Sequence, residues 1–115
     1  FDRVGLFDPG LEVGIDYDLW LRAARHYPFD FVDKELVRYR TGHANLSRRH
    51  ADRAATADAV LLRAQRRGLL DGVPADVVAE GFASTARGLG YVLRAADPWG
   101  AVRCYLRALA VGGRR

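Results

Sequence analysis

Apolar positions recur at helical spacing along most of this 115-residue chain and give way to a strand-like pattern in one short stretch. Leu19, Trp20, Ala23, Ala24 and Tyr27 line one helical face, which predicts a helix over residues 18–27 with a core-facing Trp20, Asp18 as N-cap and Pro28 as the stop. Residues 29–32 and 36–39 are aromatic and β-branched and flank Asp33-Lys34-Glu35, so two short extended segments are expected there. The polar run 40–49, with Gly42, Asn45 and Ser47, reads as a loop. Helical periodicity then resumes over 51–67, ended by Gly68, over 74–96, and over 98–111, ended by Gly112-Gly113. Pro74 and Pro98 sit where a first-turn proline is tolerated, the second just after a capping Asp97. At the start, Gly5 suits a C-terminal cap and Asp8-Pro9-Gly10 is turn chemistry, so residues 1–11 read as a helix end followed by a turn.

This pattern predicts a mainly α chain with two short β segments, an α+β fragment, and a boundary near residue 50. Residues 1–49 carry the mixed strand and loop chemistry, and residues 50–115 form a subdomain of three helices. Half of the residues are apolar, enough for one small core. With no apolar run of about 18 residues and no charged n-region or h-region at the start, a cytoplasmic protein is expected. Methionine is absent, so Phe1 reads as an internal boundary of a longer protein. Cys104 is the sole cysteine, which excludes an internal disulfide and a cysteine-based zinc site. Net charge is +4, and Lys34 is the only lysine. Guanidinium groups favour phosphate, so a nucleotide, a polyphosphate-linked lipid or an anionic surface fits as partner. A nucleic-acid role ranks last, because no binding motif and no aromatic–basic interleaving accompany the charge.

Gly5-Leu6-Phe7-Asp8, Asp16-Tyr17-Asp18-Leu19-Trp20-Leu21-Arg22, Val37-Arg38-Tyr39-Arg40 and His43-Ala44-Asn45-Leu46-Ser47 together resemble the C-terminal half of family 2 glycosyltransferases of the GT-A fold, over residues 1–49. The resemblance implies the acceptor-side portion of an α/β enzyme, followed here by a small helical subdomain. It implies that Asp16 is the general base that deprotonates an acceptor hydroxyl, although Ile15 stands where the family usually has an acidic residue. By the same resemblance Asp8 lies near the acceptor pocket, while its turn context gives it a backbone-bonding role instead. His43 matches a position near the donor diphosphate and its metal, or is simply a solvated loop residue. Arg38 and Arg40 alternate with Val37 and Tyr39 and so share one side of an extended segment, as phosphate clamps or as a solvated face.

No Gln-x-x-Arg-Trp motif of processive synthases occurs, so one sugar transferred per encounter is expected. The implied cofactor is Mg²⁺ or Mn²⁺ in the full-length enzyme, its Asp-x-Asp ligands and the nucleotide site lying in a donor-binding domain upstream of Phe1. The 115 residues alone would then be inactive and hold no metal. The expected partners are a nucleotide-sugar donor and a glycan or lipid-linked acceptor, with peripheral membrane contact through the arginine-rich tail ranked behind a solvated helix surface. In that tail, Leu89-Gly90-Tyr91 with Ala101, Tyr105, Ala108 and Leu109 resembles a single tetratricopeptide-type helix pair, which implies a close crossing. The alternative to a transferase is a non-enzymatic helical interaction module carrying a vestigial acidic motif.

Overall fold

Proline and glycine punctuation sets the helix ends, and small residues set how the helices meet. A computed structural model describes residues 1–39 and 49–112. Among these residues there are four helices: α1 (Ile15–Ala24), α2 (His50–Arg66), α3 (Ala75–Leu93) and α4 (Pro98–Gly112). Helix α1 packs on α2, α2 on α3, and α3 most extensively on α4.

The end of α2 follows from Gly68, whose φ of 68° is a left-handed conformation that side chains resist. Its N–H donates to the Gln65 carbonyl, and the Leu69 N–H reaches back to Ala64 at 3.0 Å. This Schellman pair satisfies carbonyls that the helix leaves open. A Cβ at position 68 would also stand 2.8 Å from Asp71 Oδ2. Gly68→Ala is therefore expected to lower stability by about 1–2 kcal/mol. A urea titration with an unchanged midpoint would contradict the left-handed cap.

Helix α4 starts at Pro98, and Asp97 caps it as expected: Asp97 Oδ1 accepts the Gly100 N–H at 2.8 Å. Against α3, the buried residues are small. Ala83, Ala86 and Ala108 form one cluster, and Gly90 and Ala101 are buried as well. A Cβ at Gly90 would lie 3.1 Å from the Tyr105 ring and 3.2 Å from the Ala101 carbonyl oxygen. The close crossing thus depends on the missing side chain. On α2 the buried apolar residues are Val60, Leu61 and Ala64.

A polar tie fastens the three long helices. The buried Asp58 of α2 accepts both Arg107 terminal nitrogens from α4, at 3.0 and 2.5 Å, and the Thr85 hydroxyl from α3 at 3.1 Å. The two-pronged geometry is the strong form of an arginine–carboxylate bond, and it raises the Arg107 pKa further.

Two expectations are corrected. Residues 29–32 and 36–39 are not strands, and the described residues contain no sheet. The α+β class, and with it the α/β GT-A portion, gives way to an all-helical arrangement of the described residues. A strand exists only in a ladder, and two short isolated segments do not provide one. Between them the Lys34 N–H closes onto the Val32 carbonyl at 2.8 Å, a bond two residues back rather than a hairpin pairing. Phe31 and Val37 are 82% and 83% exposed in consequence.

The second correction concerns α1. It begins at Ile15, with Gly14 (φ 71°) in the cap position and no side-chain cap, so Asp18 is not its N-cap. Trp20 and Tyr27, predicted to face the core, are exposed, Trp20 at 54%. Periodicity identifies residues that share a face, but the neighbour decides which face turns inward. Here that is the side carrying Asp18, only 5% exposed, which pairs with Arg22.

Candidate catalytic site

The first turn of α1 and the turn before it form a small structured unit. Asp18 Oδ2 accepts a hydrogen bond from Arg22 Nε at 2.9 Å, a pairing of residues four apart on one helix. The same guanidinium donates to the Val4 carbonyl and, at 2.9 Å, to the Leu6 carbonyl. Arg22 therefore holds the N-terminal turn against the helix. That turn closes by a Gly5 N–H bond to the Phe1 carbonyl at 2.8 Å, with Gly5 left-handed as its proposed capping role requires.

Asp8 completes the unit from the other side. Its Oδ1 accepts the Gly10 N–H at 2.8 Å, and its Oδ2 accepts a hydrogen bond from Arg63 of α2. These two donors, the Gly10 amide first, hold the Asp8 carboxyl below its ordinary value against a smaller opposing effect of desolvation. Both oxygens are engaged by the protein, which is the turn role anticipated for this residue. Because the folded pKa is lowered, this tie contributes stability that is complete above the ordinary carboxylate range and is lost as pH falls through the lowered value. Melting curves of the native chain and Asp8→Asn should differ at neutral pH and converge at the acid end. A gap that persists unchanged into strong acid would exclude the tie.

Asp16 stands apart from both pairs. It is exposed in the first turn of α1, where the positive end of the helix favours a carboxylate. Oδ1 accepts the N–H of Tyr17 at 2.9 Å, and Oδ2 has no protein partner among the described residues. Beside it Tyr17 is half-buried, and burial pushes its phenol pKa up, so the ring stays neutral. The arrangement is one carboxylate oxygen anchored by a backbone amide and a second without a partner among the described residues, on a helix that Asp18 and Arg22 hold in place.

Of the other predicted site residues, Arg38 lies exposed in the irregular stretch after α1. Arg40 and His43 fall outside the described residues. Neither of two described grooves is lined by Asp8, Asp16 or Arg38. No group of three or more His, Cys, Asp or Glu side chains suited to a metal occurs among the described residues. The Asp58–Arg107–Thr85 tie escaped sequence reasoning, because its members lie 27 and 49 residues apart and no local spacing joins them. An ion pair also crosses the predicted boundary at residue 50, between Arg63 and Asp8.

The chain matches no protein-family model, no curated protein and no solved structure.

Proposed function

We propose that this chain supplies the acceptor side of an inverting, non-processive glycosyltransferase, with Asp16 as general base. The observation that supports it is the first turn of α1, where Asp16 is exposed and half-unpartnered in the Asp16-Tyr17-Asp18-Leu19-Trp20 motif while the neighbouring Asp18 is buried in an ion pair. In the proposed reaction an acceptor hydroxyl passes its proton to the free Oδ2 of Asp16. Its oxygen attacks C1 of the sugar from the side opposite the nucleoside diphosphate. The C1–O bond breaks, the diphosphate leaves with the electron pair, and the anomeric configuration inverts.

Arg38 is placed on the exposed stretch that would border the diphosphate, as a phosphate-pairing group. The divalent ion that such a reaction implies has no matching side-chain cluster among the described residues. Its ligands and the nucleotide site belong, in this proposal, to a donor-binding domain.

The test is turnover by the full-length natural product against a panel of nucleotide sugars with Mg²⁺ or Mn²⁺. Consumption of one donor, dependent on Asp16, supports the reading. Consumption of none, or indifference to Asp16→Asn, removes it.

A second reading, a non-enzymatic helical interaction module, is favoured by one observation. An open groove of 1280 Å³ runs between α2, α3 and the end of α4, with Leu62, Val78, Phe82 and Val111 among its lining residues. Under that reading the biological effect survives Asp16→Asn and is lost when Phe82 is made polar.

A further inference from the structure

We infer that the outer face of α4 docks on an anionic lipid bilayer. On this helix Gly100, Ala101 and Ala108 are buried, whereas Trp99, Val102, Leu106 and Leu109 are exposed, Trp99 at 75% and Leu109 at 71%. At 3.6 residues per turn the exposed four fall within an arc of about 80°, on the side opposite the buried three. The helix is therefore apolar on two opposite faces, and among the described residues only one of them is covered.

Charge identifies what covers the other. From Pro98 to Arg115 the sequence carries four arginines, Arg103, Arg107, Arg114 and Arg115, and no acidic residue. Arg107 is tied to Asp58, while Arg103 is exposed beside the apolar stripe, with a 3.7 Å approach to the Asp97 carboxylate. At the end of α3, a few residues before α4, Arg94 stacks over the exposed Tyr91 ring at 3.7 Å. A tryptophan and leucines flanked by cations match the headgroup boundary of an anionic membrane, where apolar side chains sink and guanidinium groups meet phosphate.

The shape of the face agrees. It is convex and one helix wide, and none of its four apolar residues lines either described groove. A bilayer accepts such a surface without a matching cavity. No described helix is long and apolar enough to cross a membrane, so the contact is peripheral. The inference stands on α4 alone and does not depend on the transferase reading.

Co-sedimentation of the 115-residue chain with vesicles tests it, using phosphatidylcholine alone and phosphatidylcholine with roughly one third phosphatidylglycerol. Binding is expected with the anionic vesicles only, and raising the salt concentration should weaken it. Leu106→Ser with Leu109→Ser should weaken it by roughly tenfold or more, because each leucine loses the gain of leaving water. Both side chains are exposed, so the circular-dichroism melt of that variant should match the native one. Absence of binding to either vesicle overturns the inference. So does anionic binding that the double substitution leaves unchanged, since charge alone would then account for it. Sedimentation of a dimer that the double substitution dissociates, without vesicle binding, would assign the face to a second copy instead.

Discussion

On the proposed transferase reading, Asp16→Asn in the full-length protein is expected to slow sugar transfer by about a hundredfold, the loss that follows removal of a general base. Asparagine keeps the shape and still accepts the Tyr17 amide through its carbonyl oxygen, so the loss isolates proton transfer. The melting temperature should scarcely move, because Asp16 is exposed and makes one local bond. Initial rates with the preferred donor, measured at saturating acceptor, separate a fall in kcat from a weaker KM. A fall confined to KM would make Asp16 a binding residue, and an unaltered rate would make it only a helix-start residue.

Asp18→Ala should have the opposite profile. The Asp18 and Arg22 side chains are only 7% and 15% exposed, and Arg22 holds the Val4 and Leu6 carbonyls at the same time. Removing the carboxylate leaves a buried guanidinium with neutral partners alone, at an expected cost of about 3 kcal/mol. In a chain of this size that corresponds to a fall in Tm of roughly 10 °C or more. Loss of the anchor should also loosen the N-terminal turn, visible as faster amide exchange at Gly5 and Leu6. A melt within a degree or so of native would show that the pair is not a structural anchor. Measuring Asp16→Asn and Asp18→Ala together distinguishes two carboxylates that the sequence sets two residues apart and that the fold puts in different environments.

The same pair shows how far sequence reasoning reached. The four-residue spacing of Asp18 and Arg22 is enough to bring the two side chains together, because an α-helix fixes that distance. It was insufficient to predict that the pair is buried, because burial depends on α2 and on carbonyls at Val4 and Leu6. The apolar spacing of Leu19, Trp20 and Tyr27 correctly indicated a helix and wrongly indicated the face that turns inward.

What the sequence determined by itself is therefore local: the α2 stop at Gly68, the cap at Asp97, the bonded turn at Asp8, and the small residues that let α3 and α4 cross. Each depends on a backbone conformation or a hydrogen bond within a few residues, or on the size of one side chain. Tertiary structure alone decided that residues 29–32 and 36–39 lack a ladder, that Asp58 joins three helices, and that α1 turns Asp18 inward and leaves Asp16 exposed. Those outcomes depend on partners dozens of residues away or on the absence of a pairing strand, and spacing along the chain carries no record of either.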